Sequence, residues 1–325
     1  MENPAIAILD DYQKVALSSA DWSALSRRAR IKVFHEPWAG EDALAQALEP
    51  FEIIVLMRER TPFPASLIAR LPRLKLIALT GTRTNTLDVD ACTARGIVIS
   101  HTSGNPSTAT AELSFALILA CARSLPQAFA SMAGGRWEDG VPMGLPLAAK
   151  RLGILGLGHL GTEVARMGLA FRMEVVAWSE NLTPERAASH GVRRVDKAEL
   201  FATSDVVSLH LALSARTRGI VGRSELMAMK QGAILVNAAR AGLVDGPALM
   251  SVLQSGRITA GLDVFDTEPL PPRHPLRGMA NVVLTPHLGY VVNDVFAYYY
   301  RDVIEDIDAY LAGKPIRVLN PRVLD

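Results

Sequence analysis

Short apolar segments recur along the first third of the chain, and amphipathic or alanine-rich stretches separate them. The segments are Ile6–Leu9, Ile31–Phe34, Ile53–Met57, Leu76–Leu79 and Ile97–Ile99. Such alternation predicts strands of a parallel sheet with helices on both faces. No glycine fingerprint for a nucleotide occurs in this first series.

A second series of apolar segments follows in the remaining part of the chain. Its members are Leu152–Leu155, Val175–Trp178, Val206–His210, Ile234–Asn237, Gly261–Val264 and Val282–Thr285. Helical or turn segments separate them, so the series predicts a second parallel sheet, of six strands, in the doubly wound arrangement.

Two regions outside the strands define where the domains join and where the chain ends. Polar, turn-forming residues at His101–Pro106 predict a passage between domains, and one long helix is predicted over Thr108–Leu125. A last helix is expected to end at Gly313 and Pro315. Its predicted apolar face consists of Tyr300, Ile304, Ile307 and Leu311. The three side chains of Tyr298–Tyr300 cannot all lie on the same face of this helix, and we expect their role to be packing.

The first strand of the second series runs directly into Gly156-Leu157-Gly158-His159-Leu160-Gly161. Apolar residues then recur at helical spacing, which predicts a strand, a tight turn and a helix. Gly156 would let the chain turn, Gly158 would let the backbone approach a pyrophosphate, and Gly161 would let helix and strand pack closely. Amide groups at the helix N-terminus would face the anion. A dinucleotide site is therefore predicted; an ordinary glycine turn is the alternative.

Charge and composition limit the kinds of ligand. Lys and Arg number 34 against 33 Asp and Glu, so no overall field favours nucleic acid or an anionic membrane, and we expect a small-molecule ligand. The chain starts with a strand where a signal peptide would lie, and Leu113–Ala122, its longest mostly apolar run, is too short for a bilayer span. Cys92 and Cys121 have apolar neighbours and no metal or redox spacing, which predicts buried, reduced thiols in a cytosolic protein without a metal site.

Two loops of the first series carry residues suited to an anionic substrate. Arg58 and Arg60 follow the third strand, and Gly81, Thr82 and Arg83 follow the fourth. Open parallel sheets place ligand contacts outside the carboxyl ends of their strands. A glycine-bearing turn can also aim consecutive N–H groups at a carboxylate. Surface ion pairing is the alternative for each arginine.

Three further polar residues, Arg240, Glu268 and His287, follow later strands of the second series. Together they match what reduction of a 2-oxo acid requires beyond a cofactor. His287 would protonate the carbonyl oxygen, and Glu268 would hold the imidazole in one tautomer and favour its charged form. Arg240 would bind the carboxylate. Each residue alone is more often structural; their joint occurrence after a dinucleotide motif favours catalysis.

Longer motifs resemble those of the D-isomer-specific 2-hydroxyacid dehydrogenases, which include phosphoglycerate, glyoxylate and hydroxypyruvate enzymes. The matching segments are the glycine turn, Asp205–Leu211, Met229–Asn237, Gly261–Phe265 with Glu268–Leu270, and Thr285–His287. The resemblance covers nearly the whole chain and implies Arg240, Glu268 and His287 as the catalytic set. The cofactor contacts that we expect are Gly156, Gly158, His159, Leu160, Gly161, Ser179, Glu180, His210, Ala238, Asp263 and His287.

The same resemblance implies an α/β architecture of two domains. Residues 102–288 would form a Rossmann domain that binds NAD on a doubly wound parallel sheet. Residues 1–101 and 289–325 would form a smaller, flavodoxin-like substrate domain, discontinuous in sequence. A homodimer is also implied, with the region 105–146 reaching over the partner. Because the chain ends soon after its last helix, we expect no appended regulatory domain.

Departures from the family pattern bear on the ligands. Ser179 stands where NAD-using members commonly carry Asp, and Glu180 follows it. The Glu180 carboxylate would repel a 2′-phosphate and could accept bonds from ribose hydroxyls, so NAD is expected in preference to NADP. Ala241 replaces a usual glycine. Arg83 occupies a loop that is small in many relatives, and we expect it to face an anionic substrate.

The predicted function is hydride transfer between NAD(H) and a small D-2-hydroxy acid or 2-oxo acid. A formate dehydrogenase-like enzyme is one alternative, but in that resemblance the histidine pairs with Gln, whereas this chain has Glu268. An NAD(H)-sensing binding protein, similar to transcriptional co-repressors of this architecture, is another. The intact set of Arg240, Glu268 and His287 argues against it.

Overall fold

The computed structural model describes residues 3–103 and 108–324. The chain divides into two compact units, Met1–Pro106 with Val292–Asp325 and Ser107–Val291. The predicted domain boundaries, at residues 101 and 289, lie within a few residues of this division. Gly104, Asn105 and Pro106 of the predicted interdomain turn lie outside the described residues.

The first unit is built on a parallel sheet whose strands are the five segments predicted from the sequence. They are β1 (Ala5–Ile8), β2 (Arg30–Val33), β3 (Ile53–Leu56), β4 (Leu76–Leu79) and β5 (Val98–His101). The order is β2-β1-β3-β4-β5, which is the order of flavodoxin-like folds. β1, β3 and β4 are apolar throughout and buried at every position, because helices cover both faces. The helices are α1 (Ser23–Ser26), α2 (Glu41–Leu48), α3 (Ala65–Ala69), α4 (Val89–Ala94) and, from the C-terminal part of the chain, α12 (Asn293–Leu311).

The second unit contains a larger parallel sheet. Its strands are β6 (Arg151–Leu155), β7 (Glu174–Trp178), β8 (Arg193–Arg194), β9 (Val206–Leu209), β10 (Ile234–Asn237), β11 (Thr259–Leu262) and β12 (Val282–Leu284). The order in the sheet is β12-β11-β10-β9-β6-β7-β8. Successive strands are added outward from β6, first on one side and then on the other, as in a Rossmann fold. The predicted α/β fold class is therefore confirmed. The prediction of six strands missed β8, because this edge strand consists of two arginines and has no apolar run.

The helices of the second unit depart from the prediction at one place. They are α5 (Ala109–Ala122), α6 (Leu125–Ala133), α7 (His159–Ala170), α8 (Pro184–Ala188), α9 (Lys197–Thr203), α10 (Arg223–Ala228) and α11 (Gly246–Gln254). The helix predicted over Thr108–Leu125 is present as α5 but ends at Ala122, because Ser124 adopts a left-handed conformation with φ of 49°. The second helix, α6, which begins after Ser124, was not predicted. Within the described residues, no single helix is long and apolar enough to cross a membrane. Only the pair α5 and α6, bent by 67°, has that length and composition.

Cys92 and Cys121 are both buried and not disulfide-bonded, as predicted. Burial raises the pKa of each thiol to about 12. Because the thiolate is the reactive form, neither cysteine is available as a nucleophile near neutral pH.

Helix α12 ends at Leu311, close to the predicted stop, but its buried face differs from the predicted one. Tyr300 and Ile307 are buried, whereas Ile304 and Leu311 are only partly so. Among the Tyr298–Tyr300 side chains, Tyr299 and Tyr300 are fully buried, and Tyr298 lies under the guanidinium of Arg301.

Asp302 and Asp306 also belong to the buried face of α12. The apolar pattern misses them because their partners lie far away in the sequence: Asp302 accepts a bond from the Ser103 amide, and Arg317 Nε donates to Asp306 Oδ1 at 2.8 Å. Arg317 also donates to the carbonyl oxygen of Asp302, which ties the C-terminal segment to the helix. Burial raises the pKa of Asp306 to about 7, and the charge of Arg317 opposes that shift.

We expect Arg317→Met to lower the free energy of unfolding by about 3 kcal/mol near pH 8, because it leaves the buried Asp306 carboxylate without its cation. The folded-state pKa of Asp306, about 7 beside Arg317, lies above its unfolded value and rises further without that charge, so the stability that the variant loses relative to the wild type grows as pH rises through about 7. The loss should therefore be smaller at pH 5 than at pH 8 in urea denaturation. Arg28→Met, which breaks the exposed pair with Asp308, is the control and should cost less than about 1 kcal/mol. Equal losses at both pH values would contradict the assignment.

Candidate active site

The turn between β6 and α7 has the geometry that its glycines predict. Gly156 has φ of +104°, a conformation that L side chains rarely adopt, and a Cβ there would lie 2.9 Å from the backbone carbon of His210. A Cβ on Gly161, in the first turn of α7, would collide with the carbonyl oxygen of Gly156. Close packing of the helix on the turn therefore requires glycine at both positions.

Gly158 differs from these two glycines. A Cβ on Gly158 would meet no atom within 4 Å, and Gly158 precedes the first residue of α7. Nothing in the protein's own packing therefore demands glycine at this position. The open face beside the N-terminus of a 12-residue helix fits a diphosphate, which amide N–H groups and the helix dipole would bind.

The ends of β7 and β9, the two strands that pair with β6, lie beside this turn. Ser179 and Glu180 follow the end of β7, and within the described part of the chain neither side chain forms a hydrogen bond. His210 follows the end of β9, and its Nε2 lies 2.8 Å from Ser208 Oγ. Burial lowers the pKa of His210 to about 4, so its imidazole is neutral near pH 7 and offers a fixed polar edge without charge.

Arg240 follows β10 in a loop that one asparagine side chain organises. Asn237 Nδ2 donates to the carbonyl oxygen of Arg240 at 2.9 Å, and Asn237 Oδ1 accepts from the Ala239 amide at 3.0 Å. The partly buried guanidinium of Arg240 donates to the carbonyl oxygen of Ala239 at 2.7 Å. Ala238, between them, is buried. Asn237, the last residue of β10, thus fixes the backbone of the loop that carries Arg240.

Glu268 and His287 form a direct pair, although 19 positions separate them in the sequence. Glu268 Oε2 lies 2.6 Å from His287 Nδ1, and Glu268 Oε1 accepts from the Phe265 amide at 2.8 Å. Burial alone would raise the pKa of Glu268, but the hydrogen bond and charge of His287, the Phe265 amide and the charge of Arg240 together leave that pKa lowered. Glu268 therefore remains a carboxylate, and Arg240 lies within electrostatic reach of it.

The turn that carries His287 is held by the buried carboxylate of Asp263, which follows β11. Asp263 Oδ1 accepts from Thr285 Oγ1 and from the Leu288 amide, both at 2.7 Å, and Oδ2 accepts from the Gly289 amide at 3.0 Å. Burial raises the pKa of Asp263 even though these bonds oppose the shift. His287 itself has φ of 55°, a strained conformation that the bonds on either side of it maintain.

Sequence reasoning missed two residues that hold this turn. Thr285 donates to Asp263 as described, and Thr110 Oγ1, on α5, donates to the carbonyl oxygen of Gly289 at 2.7 Å. The position of Thr285 within Thr285-Pro286-His287 could have suggested a role, because its hydroxyl follows an apolar strand and lies two residues from the proposed catalytic histidine. No sequence signal links Thr110 to a turn that lies so far along the chain.

Arg58 lies at the carboxyl end of β3 in the first unit and faces the predicted anion-binding turn. Its Nη1 donates to Tyr299 Oη at 2.6 Å and lies 3.2 Å from the position that a Cβ on Gly81 would occupy. Arg58 has φ of 54°, so its backbone is strained. Tyr299 is fully buried on α12, which gives the guanidinium a rigid support.

Arg60 and Gly81 are placed less favourably for a substrate than the sequence suggests. Arg60 donates to the carbonyl oxygen of Asp10 at 2.7 Å and lies over the ring of Tyr12. The Gly81 amide donates to Thr102 Oγ1 at 2.7 Å, so it is already engaged, whereas the Thr82 amide has no acceptor among the described residues. Thr82 and Arg83 are exposed. Arg58 and Arg83 therefore remain the better candidates for anion contacts.

Comparisons with known proteins show what this chain is similar to. Residues 115–289 match the model of the D-isomer specific 2-hydroxyacid dehydrogenase, NAD binding domain. A glyoxylate reductase of Aeropyrum pernix is 35% identical over 92% of this chain and 92% of its own length. The crystal structure of a phosphoglycerate oxidoreductase from Vibrio cholerae O395 is 39% identical, with a TM-score of 0.91 over 95% of this chain and 99% of that one.

Some relatives are much longer than this chain. The D-3-phosphoglycerate dehydrogenase of Archaeoglobus fulgidus is 36% identical over 90% of this chain, but the match spans only 55% of the relative. The chain thus spans about half the length of the archaeal phosphoglycerate dehydrogenases that it matches.

The contrast between Gly158 and Gly161 gives a matched pair of variants. We expect Gly161→Ala to lower the free energy of unfolding by about 1–3 kcal/mol, because the methyl group collides with the turn. Gly158→Ala should change it by less than about 1 kcal/mol. Gly158→Ala should nevertheless weaken NADH binding at least about tenfold, because the methyl group occupies the space that the diphosphate needs. Urea denaturation and calorimetric titration with NADH measure the two effects; unchanged NADH affinity in a folded Gly158→Ala protein would refute the assignment of the turn.

Proposed function

Because this chain belongs to the D-isomer specific 2-hydroxyacid dehydrogenase family, we propose that it interconverts a small 2-oxo acid and the corresponding D-2-hydroxy acid with a nicotinamide cofactor. The observation that carries the proposal is the 2.6 Å contact between Glu268 Oε2 and His287 Nδ1. A carboxylate bound to one ring nitrogen fixes the other as the atom that exchanges a proton with substrate.

When bound, the cofactor supplies the hydride in reduction or accepts it in oxidation. Glu268 engages His287 Nδ1, so Nε2 is the atom that donates a proton to the carbonyl oxygen in reduction. In the reverse direction the neutral ring, protonated at Nδ1, accepts the hydroxyl proton at Nε2. Glu268 stays charged throughout, because its pKa is lowered, and it stabilises the imidazolium.

Arg240 would bind the substrate carboxylate. Its planar, permanently charged guanidinium can donate two parallel bonds, which orients the acid group and places C2 in a defined position. Asn237 supports this role because it fixes the Arg240 loop from the end of a buried strand. Arg58 and Arg83 of the first unit stay predicted contacts of an anionic substrate.

The cofactor proposed as preferred is NADH. Glu180 follows β7 at the position where a Rossmann fold reads the adenosine ribose, and its carboxylate can accept bonds from the ribose hydroxyls. His210, neutral near pH 7, would line the cofactor site without adding a charge there. Asp263 would lie near the nicotinamide amide, since it follows the strand next to that of Arg240.

The homodimer stays a prediction, to be decided by the mass of the protein in solution. Phe129, Met132, Trp137 and Met143, on α6 and the segment after it, are large apolar side chains that are exposed in the isolated chain. Exposed large apolar side chains in one segment of the chain favour association.

We expect His287→Ala to lower kcat by about two to four orders of magnitude, because it removes the proton donor. NADH affinity should change little, since the ring acts on the substrate and not on the dinucleotide. NADH oxidation with glyoxylate, hydroxypyruvate and other 2-oxo acids measures kcat, and calorimetric titration measures NADH binding. His190→Ala, a histidine outside the site, is the matched control. Wild-type protein that binds NADH tightly but turns over no acid in a wide panel would support an NAD(H) sensor and refute the enzyme.

Arg83→Ala should raise KM for 2-oxo acids about three- to tenfold, as expected for one partly solvated charge contact, with kcat and NADH affinity nearly unchanged. Arg27→Ala, which removes an exposed arginine from α1's end in the same unit, serves as the control. If Arg83→Ala leaves KM unchanged for every acid tested, Arg83 has no part in substrate binding.

A further inference from the structure

We propose that Arg186 allows the adenosine end of the cofactor site to accept a 2′-phosphate, so that the protein binds NADPH in addition to NADH, the preferred dinucleotide. The inference rests on the proposed function, because it assumes that the turn Gly156–Gly158 binds the diphosphate of a nicotinamide dinucleotide.

The observation behind it is a contact between α8 and the glycine turn. Arg186 Nη2 donates to the carbonyl oxygen of Leu157 at 3.4 Å, and Leu157 lies between Gly156 and Gly158. A guanidinium therefore lies directly beside the backbone that would bind the diphosphate. The bond is long and engages one of five N–H donors, so most of the donor capacity of the exposed side chain is not used by it.

Packing of the chain between β7 and α8 fixes the position of Arg186. Leu182 is buried in the same apolar cluster as Leu157. Arg194 Nε donates to the carbonyl oxygen of Leu182 at 2.8 Å, and Thr183 Oγ1 accepts from the Arg186 amide at the start of α8. These contacts hold the short helix in place, so the position of Arg186 follows from a packed segment and not from a loose surface loop.

The chemistry of the surrounding residues suits a phosphate monoester. In a Rossmann fold the adenosine ribose lies between the glycine turn and the end of the second strand, here β7. Arg186 approaches from the turn, and the Ser179 hydroxyl lies at the end of β7. Arginine and a hydroxyl are the groups that bind the 2′-phosphate of NADP.

Glu180 explains why the site would accept both dinucleotides. Its carboxylate can bond to the ribose hydroxyls of NADH and repels a phosphate, whereas Arg186 attracts that phosphate. The two side chains thus have opposite effects on NADPH and only one of them bears on NADH. Replacing Arg186 should therefore lower the affinity for NADPH relative to NADH, and replacing Glu180 should raise it.

The test compares dissociation constants for NADH, NADPH and 2′-AMP by calorimetric titration, so it does not depend on turnover. Arg186→Ala should raise the dissociation constants of NADPH and 2′-AMP about ten- to a hundredfold, because it removes one charge-assisted hydrogen bond. The dissociation constant of NADH should change by less than about twofold. Arg186→Lys should recover part of the loss, because it keeps the charge but not the fork. Glu180→Gln should strengthen NADPH binding. Arg166→Ala, which removes an exposed arginine of α7, is the control and should change none of these values.

Three results would overturn the proposal. One is wild-type protein that binds NADH but shows no NADPH or 2′-AMP binding. A second is an Arg186→Ala variant in which NADH and NADPH weaken equally, which would make Arg186 a structural support of the turn. A third is an Arg186→Ala variant that binds NADH, NADPH and 2′-AMP as tightly as the wild type does. Protein that binds neither dinucleotide would refute the proposed function as well, whereas NADH binding without turnover would refute only the catalytic part of that function.

Discussion

The site in the second unit depends on the buried carboxylate of Asp263. Three hydrogen bonds from the turn 285–289 converge on its two oxygens, and those bonds hold His287 in a strained backbone conformation. Without that anchor the imidazole would have no fixed direction from which to meet Glu268. The burial that raises the pKa of Asp263 also strengthens these bonds, because a charged acceptor in a low-dielectric interior attracts N–H and O–H donors strongly. Thr110 holds the far end of the same turn from α5.

The parallel sheet explains why residues so distant in sequence meet. β10, β11 and β12 are neighbours in the sheet and run in the same direction, so their carboxyl ends lie along one edge. Arg240 follows the first of these strands, Asp263 and Glu268 follow the second, and His287 follows the third. β6 and β9 are neighbours on the same edge, which brings His210 against Gly156. One structural constraint, the common direction of the strands, thus assembles both the proposed catalytic groups and the proposed cofactor groups.

In the first unit the same rule places Arg58 and Gly81 beside each other, but side-chain packing then decides what each residue can do. Arg60 is directed to the carbonyl oxygen of Asp10 and the ring of Tyr12, whereas Arg58 is supported by Tyr299 and lies against Gly81. The two arginines are two positions apart and look equivalent in sequence. They differ in backbone conformation, since Arg58 is left-handed with φ of 54°, and in the partners that their guanidinium groups contact.

The sequence by itself determined the fold class, the strands of both sheets other than β8, the glycine turn and the identity of the residues proposed for catalysis. These features depend on local patterns: apolar runs of strand length, glycines at positions where a Cβ would collide, and polar residues directly after strands. Tertiary structure alone decided the break at Ser124, the buried carboxylates on α12, the Thr110 contact and the approach of Arg186 to Leu157. Each of these depends on a partner remote in sequence or on a single left-handed residue, and neither leaves a periodic signal in the chain.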